Sequence, residues 1–147
     1  MKIFVLVSAL GLFGFGQCLF LNQSPCDLSP DSYHSQSGIP EDADWTANIT
    51  VPVSCTNGTF YWNYPRGHAI LQFKNYGKTT AICLSDIVGG GMFTITDETH
   101  DKQLDQLLRG NSERVCTDDS EDSFVIQVDA PKFQTYVGGF AYEVKFP

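Results

Sequence analysis

Three histidines are the residues of this sequence that could act as general bases near neutral pH. His34 lies in a polar N-terminal stretch, His68 begins an apolar run, and His100 lies among acidic residues. A nucleophilic enzyme needs such a base beside an activated serine or cysteine, and the sequence contains no G-x-S-x-G turn or comparable elbow to present one. We interpret the histidines as solvent-facing or turn residues and expect the protein not to be an enzyme.

Acidic residues form two dense groups that could bind a hard cation. One contains Asp97, Glu98 and Asp101, and the other runs from Asp118 to Asp122. The second lacks the glycine-centred spacing of an EF-hand loop, and the separation that paired carboxylates need for glycoside hydrolysis cannot be derived from sequence. We expect solvated acidic loops without a metal or other cofactor. A calcium-dependent carbohydrate- or matrix-binding module remains the alternative function.

Of the five cysteines, the four that follow residue 18 indicate two disulfides, because an even number of cysteines in the mature part of an exported chain is typical of a disulfide framework. They are Cys26, Cys55, Cys83 and Cys116. Three pairings are possible, and the sequential one would close two loops of about thirty residues, each stabilising the fold by roughly 3–4 kcal/mol. No two of these cysteines have the close spacing of a zinc knuckle.

The N-terminal region has the pattern of a secretory signal peptide. Lys2 precedes the apolar run IFVLVSALGLFGF, which is too short to span a bilayer. Small residues allow cleavage after Gly16 or after Cys18; we favour Cys18 and assign residues 1–18 to the signal peptide. No other segment approaches membrane-spanning length, so we expect a soluble, secreted extracellular protein without membrane insertion.

The chain is acidic, and its length of 147 residues suits one domain. Its formal net charge is −8, and loss of Lys2 with the signal peptide makes the charge −9. An acidic surface repels phosphate groups, so neither nucleic acids nor anionic membranes are expected as partners.

Two N-glycosylation sequons lie on either side of Cys55. They begin at Asn48 (Asn-Ile-Thr) and at Asn57 (Asn-Gly-Thr), and in a secreted chain they predict glycans on exposed backbone. A third sequon at Asn22 is followed by Pro25, which disfavours its use. We therefore predict glycosylation of Asn48 and Asn57.

Alternation of apolar and polar residues predicts strands from residue 45 onward. Between Trp45 and Cys55 the odd-numbered residues, Val53 among them, form the apolar face, and Pro52 indicates an edge strand. Asn57-Gly58 is a hairpin-turn signal. Further strands are predicted over residues 60–64, 69–73, 79–84, 92–96, 124–128 and 140–146, with residues 101–109 ambiguous between helix and strand.

This arrangement predicts an all-β protein. Residues 19–44 are polar and without periodicity, and we interpret them as an extended N-terminal segment tethered by Cys26. Residues 45–147 carry short strands punctuated by Gly, Pro and Asn, which is typical of an antiparallel β-sandwich. Phe60, Trp62 and Tyr64 share the inward face of one strand, whereas Tyr61 points outward.

The stretch around these aromatic residues resembles the signature of the meteorin and meteorin-like family of secreted animal signalling proteins. The signature has the form C-x-x-G-x-x-x-W-x-Y-P-x-G and is carried here by Cys55, Gly58, Trp62, Tyr64, Pro65 and Gly67. The similarity continues through residues 70–74 and 82–84 to Cys116 and the closing Gly139-Phe140-x-Tyr142-Glu143, and Cys26 matches the N-terminal cysteine of the family.

The resemblance implies a CUB-like β-sandwich, or jelly roll, with disulfides Cys26–Cys55 and Cys83–Cys116. It also implies that the signature residues are architectural and form part of the core and the following turn. His68-Ala69 stands where the family has Ala-Leu, and the matched region corresponds only to the first of the family's two domains. We expect a secreted, non-enzymatic protein-binding domain, an extracellular signalling ligand or modulator whose partner is an extracellular protein or receptor.

Overall fold

Ten strands form the described part of the computed structural model, which comprises residues 24–30, 46–64, 67–88, 92–105, 114–130 and 136–147. The strands are β1 (Asp27–Leu28), β2 (Thr46–Val51), β3 (Asn57–Tyr64), β4 (His68–Phe73), β5 (Ala81–Val88), β6 (Thr94–Asp97), β7 (Lys102–Gln103), β8 (Val115–Cys116), β9 (Phe124–Asp129) and β10 (Tyr136–Lys145). Within those residues, no helix is long and apolar enough to cross a membrane.

The strands form two five-stranded sheets. Sheet A has the order β1-β3-β10-β5-β8, and sheet B has the order β2-β4-β9-β6-β7. Each sheet buries one face. In sheet B this is shown by the alternating burial of β2, β4 and β9, and in sheet A by β3, where Phe60 and Trp62 are buried and Tyr61 between them is exposed. The prediction of a β-sandwich is therefore confirmed.

Aromatic side chains dominate the core between the sheets. Trp62 and Phe60 of β3 are fully buried, and Phe60 stacks on Phe140 of β10 with ring centroids 5.0 Å apart. Phe93 contacts Phe60 and Trp62 edge-on at 6.2 and 6.3 Å. The predicted inward position of Trp62 is thus confirmed. Aromatic pairs of this geometry each stabilise the core by about 1 kcal/mol beyond their burial.

The strand pairing departs from a fully antiparallel arrangement at one edge of each sheet. β1 pairs with β3 in parallel, and β2 pairs with β4 in parallel, whereas the other strand pairs are antiparallel. The predicted edge position of the strand before Pro52 is confirmed, because β4 is the neighbour of β2 in sheet B. The predicted extended segment 19–44 contains β1; residues 31–44 lie outside the described part of the chain.

The hairpin predicted at Asn57-Gly58 is wrong. These residues begin β3, which lies in a different sheet from β2, and the chain instead turns at Pro52, whose carbonyl oxygen accepts a 2.8 Å hydrogen bond from the Cys55 amide. Gly58 is needed for close approach: a Cβ atom there would lie 2.0 Å from the carbonyl oxygen of Cys26 and 2.6 Å from the Tyr142 hydroxyl. The glycine therefore brings β1 and the Tyr142 ring against β3.

Both disulfides of the structure join sequential cysteines. Cys26–Cys55 ties β1 to the turn before β3, and Cys55 belongs to the buried core. Cys83–Cys116 joins directly paired residues of β5 and β8. The prediction of two disulfides is confirmed, and the pairing is the one that the family resemblance implies.

Two residues at strand ends face solvent against the predicted alternation. Val53 lies in the turn after β2 and is 50% exposed, because the strand ends at Val51. Phe146 follows the end of β10 and contacts the Tyr76 ring, 5.9 Å away, and the ammonium group of Lys78, 3.5 Å from the ring centroid. Alternation predicts an inward position only while a residue remains in the ladder.

The remaining predictions differ mainly in their bounds. The strand predicted over 79–84 begins at Ala81 and runs to Val88, and the one predicted over 92–96 begins at Thr94. The ambiguous segment starts with β7 and buries Leu104, whereas residues 106–113 lie outside the described part. Of the signature residues, Gly67 has φ +131° and Pro65 lies outside the described part, as does the Tyr64 side chain.

We predict that Gly58→Ala destabilises the protein by about 2–4 kcal/mol, because its Cβ would displace the Cys26 carbonyl and break the hydrogen bond from Tyr142. Urea unfolding measures the loss. Gly77→Ala is the control, since Gly77 has open space around it but φ +74°, and should cost about 1–2 kcal/mol through backbone strain alone. Equal losses at the two sites would contradict the close-approach role of Gly58.

We predict unequal effects from removing the two disulfides. Cys83→Ala with Cys116→Ala should lower the free energy of unfolding by about 3–4 kcal/mol, because the unfolded chain gains conformational entropy when the cross-link is removed. Cys26→Ala with Cys55→Ala should cost at least about 1 kcal/mol more, because Cys55 fills volume in the main core cluster, which the buried Cys83 does not join. Denaturant titration of both double variants measures the difference, and a larger loss for the Cys83–Cys116 pair would contradict it.

Candidate functional site

A row of small side chains crosses the outer face of sheet A. Asp27 of β1 pairs with Thr59 of β3, Thr59 pairs with Ala141 of β10, and Ala141 pairs with Ser85 of β5. These residues line an open groove of about 800 Å³ that runs across four strands. We call it the cross-strand groove. The Thr59 hydroxyl donates a 2.7 Å hydrogen bond to Asp27, which fixes one carboxylate at its end.

The next row of sheet A forms one wall of the cross-strand groove. Asn57 pairs with Glu143, Glu143 pairs with Cys83, and Cys83 is joined to Cys116. Arg114 forms an ion pair with Glu143. Because both charges of that pair are partly exposed, the contact adds little stability, and its main effect is to hold the Glu143 side chain in position at the groove.

Three exposed apolar residues lie beyond the other side of the groove. Tyr61 of β3 is 43% exposed, Val137 of β10 is 60% exposed, and Ile87 of β5 is 44% exposed. Tyr61 pairs with Gly139, and a Cβ at Gly139 would lie 3.1 Å from the Tyr61 ring, so the glycine lets this ring lie over β10. We call Tyr61, Ile87 and Val137 the apolar patch. The predicted outward position of Tyr61 is confirmed.

Tyr142 connects the groove to the core. Its hydroxyl donates a 3.0 Å hydrogen bond to the carbonyl oxygen of Cys26, while its ring packs edge-on against Phe73 at 5.3 Å. Burial, with smaller effects of Tyr76 and Asp27, raises the pKa of Tyr142 to about 12. Burial also raises the pKa of Tyr76. Neither hydroxyl is therefore ionised at neutral pH.

Both histidines of the described residues contact carboxylates, which the interpretation as simple turn or solvent-facing residues missed. His68 Nδ1 lies 2.5 Å from Asp129, its cross-strand neighbour, and Gln127 Nε2 donates to both oxygens of the same carboxylate at 2.9 and 3.1 Å. His100 Nδ1 lies 2.6 Å from the fully buried Asp97. These carboxylates orient the rings, as in many histidine sites. His34 lies outside the described residues.

The acidic groups face different environments in the structure. Asp97 is buried, whereas Asp118 is exposed and bonds Lys102 at 2.7 Å. The hydrogen bond and charge of Lys102 lower the pKa of Asp118. Across the described ranges, no cluster of three or more His, Cys, Asp or Glu side chains has the arrangement of a metal site. The calcium-dependent binding module therefore stays an untested alternative.

The two sequons lie on opposite sheets. Asn48 is exposed on the outer face of β2 in sheet B, and Asn57 is exposed at the start of β3 in sheet A. Both positions agree with the expectation of exposed backbone, while glycosylation itself stays a prediction. Asn22 lies outside the described residues.

Comparison with known proteins identifies no family for this chain. No protein-family profile matches the chain. No curated protein matches it. One similar solved structure is the pre-peptidase C-terminal domain of collagenase from Bacillus anthracis, at 12% identity and a TM-score of 0.37, over 70% of this chain and 97% of that domain. A likeness of this degree carries no argument about function.

We predict that Tyr142 makes the protein lose stability between about pH 10 and pH 12. An unfolded tyrosine ionises near pH 10, whereas the folded Tyr142 holds its proton to about pH 12. In that window the unfolded chain binds fewer protons, so the free energy of unfolding falls as pH rises.

Tyr142→Phe tests this linkage by urea unfolding at several pH values. At pH 8 the variant should be about 1 kcal/mol less stable, because the hydrogen bond to Cys26 is lost. That deficit should shrink through the alkaline window, since phenylalanine does not ionise. A constant deficit from pH 8 to pH 12 would contradict the raised pKa.

Proposed function

We propose that the protein is a secreted, non-enzymatic binding domain that contacts an extracellular protein through the outer face of sheet A. The observation that carries the proposal is the apolar patch, in which Tyr61, Ile87 and Val137 are exposed together on three adjacent strands. Clustered apolar side chains on a rigid sheet are typical of protein interaction sites, and tyrosine is among the residues enriched in them.

The sandwich supports such a surface by holding it rigid. Tyr61 and Val137 alternate with the buried Phe60, Trp62 and Phe140, so the core fixes the strands that carry the patch. A partner therefore meets a preformed surface and loses less conformational entropy on binding than it would with a mobile loop. The two disulfides stabilise the same sheet and suit an oxidising compartment.

The apolar patch is the part of sheet A best separated from the sequon at Asn57. Tyr61 lies four residues further along β3, which is about 14 Å in a strand. A glycan on Asn57 would stand over the wall formed with Glu143, on the other side of the cross-strand groove. We therefore assign the contact to the patch and the adjoining part of the groove.

The partner should present an apolar side chain within a neutral or basic surface. The chain has a net charge of −8, so an acidic partner would be repelled during approach. A central apolar contact with complementary charges around it is the common arrangement of protein interfaces.

A role as an extracellular signalling ligand or modulator is the form of this function that the resemblance to the meteorin family suggests. The signature carried by Gly58, Trp62 and Gly67 supports a similar domain, and no receptor-binding residue is transferred from that family. The contacts of His68 and His100 with carboxylates account for those rings without a catalytic role. We therefore propose binding, and not catalysis, as the activity.

We predict that Val137→Asp and Ile87→Asp each weaken partner binding at least tenfold, because each places a charge in the centre of an apolar contact. Tagged protein secreted from cultured animal cells is titrated onto intact cells and extracellular matrix. Retention measured by fluorescence gives the apparent affinity.

Gln72→Asp is the matched control. It introduces the same charge at an exposed position of β4 on the opposite sheet, and should change binding less than twofold. Near-UV circular dichroism verifies that all three variants fold. The proposal is wrong if the unmodified protein is retained by neither preparation, or if patch variants bind like the control.

A further inference from the structure

The outer face of sheet B is polar and nearly free of charge. Three rows of outward-facing residues cross it, and they contain no lysine or arginine at the described positions of β2, β4, β9 and β6. Within these strands the ionisable residues of the rows are His68 and Asp129, which bond each other. The exposed Glu98 follows β6 at the end of the third row, where its amide donates to the Val125 carbonyl. The other members are Thr46, Asn48, Thr50, Ile70, Gln72, Thr94, Thr96, Val125 and Gln127.

This composition contrasts with that of the chain, which has a net charge of −8. Hydroxyl and amide groups that stand in rows offer many hydrogen bonds to a ligand that itself carries hydroxyl and amide groups. They offer nothing to attract a charged macromolecule from a distance. The face is therefore suited to a carbohydrate held close to it by other means.

The middle row supplies such a means. Asn48 of β2 pairs with Ile70 of β4, Ile70 pairs with Gln127 of β9, and Gln127 pairs with Thr96 of β6. Three strand spacings separate the first and last of these, about 14 Å in total. Asn48 begins an N-glycosylation sequon whose Thr50 is exposed on the same face. A glycan on Asn48 would start at the edge of this row.

Ile70 and Gln127 are arranged to contact successive sugars. Ile70 is a partly exposed apolar residue beside Asn48 and can pack against the acetyl methyl group of a first N-acetylglucosamine. Gln127 donates through Nε2 to both oxygens of Asp129, which holds its amide in place and leaves Oε1 to accept from a second sugar. The order of residues along the row therefore offers an apolar contact to the first sugar, from Ile70, and a polar contact to the second, from Gln127.

We propose that an N-linked glycan on Asn48 covers the outer face of sheet B, with its first two N-acetylglucosamine units lying over β4 and β9. Its attachment forms a bond from Asn48 Nδ2 to C1 of the sugar and breaks the bond from C1 to a polyprenyl pyrophosphate carrier. The carrier leaves as the pyrophosphate, and the amide proton is released.

A covered face has two consequences for the molecule. β2 is an edge strand, and a bulky hydrophilic group on it blocks edge-to-edge pairing with another chain. Sheet B is also removed from contact with protein partners. The covered face rests on the proposed function in one respect, namely that the protein is secreted. In the secreted protein the two proposals concern different sheets, so loss of the Asn48 glycan contacts and loss of partner binding by the apolar patch are separate outcomes.

Secretion of the protein from cultured animal cells, followed by peptide mass spectrometry, first tests occupancy of Asn48. Asn48→Gln and Thr50→Ala should each remove the same glycan mass, because each destroys the sequon. Both should lower the urea midpoint by a similar amount. An unoccupied Asn48 in the secreted protein would overturn the proposal.

A double-mutant cycle then tests where the glycan lies. Removal of the Asn48 glycan should raise the unfolding equilibrium constant about three- to tenfold more in the parent than in Ile70→Thr or Gln127→Ala, because those variants lack the sugar contact. Trimming the glycan to its first sugar should keep the coupling to Ile70 and abolish that to Gln127.

Asn57→Gln provides the matched control for this cycle. Its sequon lies on sheet A, so its removal should be additive with both sheet B variants within about twofold. Ile70→Thr keeps a β-branched side chain, which suits a strand. If Ile70→Thr folds poorly, the cycle with Gln127→Ala measures the coupling to the glycan instead. Additive effects of Asn48→Gln with both Ile70→Thr and Gln127→Ala would show a glycan that projects into solvent, and would overturn the covered face.

Discussion

The carbonyl oxygen of Cys26 is the point on which the rest of sheet A depends. It accepts hydrogen bonds from the Thr59 amide at 3.2 Å and from the Tyr142 hydroxyl at 3.0 Å, while the same residue is bonded through sulfur to Cys55. Only glycine at position 58 leaves room for this contact. One backbone group therefore joins the first strand, the first disulfide and the last strand of the sheet, which lie 116 residues apart along the chain.

That constraint shapes the surface as well as the core. The approach of β1 to β3 places Asp27 beside Thr59 and so extends the cross-strand groove to the edge of the sheet. Tyr142 is bonded to Cys26, and Gly139 of the same strand leaves room for the Tyr61 ring on the outer face. The groove and the apolar patch are thus consequences of how the core is anchored, and they should be as rigid as the core itself.

Alternation in the sequence predicted which side chains enter the core, because the side-chain period of a strand needs only local information. It correctly placed Trp62 inside and Tyr61 outside, and the cysteine count gave two disulfides. The turn at Asn57-Gly58 was wrong, because the same dipeptide serves a turn or a close backbone approach, and only the position of Cys26 decides between them. The parallel pairing of β1 and β2 likewise depends on connections that local patterns do not specify.

The candidate sites were less predictable than the fold because each is made of cross-strand neighbours. Asn48, Ile70 and Gln127 form one row only through the register of three strands, and Thr59 meets Ala141 across a separation of 82 residues. A shift of one residue in the pairing of either neighbouring strand would move its side chain to the opposite face, and the three residues would no longer form a row. The two faces of the sandwich also differ in kind, because sheet A carries an apolar patch beside a polar groove, whereas the outward rows of sheet B are polar and hold few charges. Such a difference is what a domain needs if one face is to meet a partner while the other is kept from doing so.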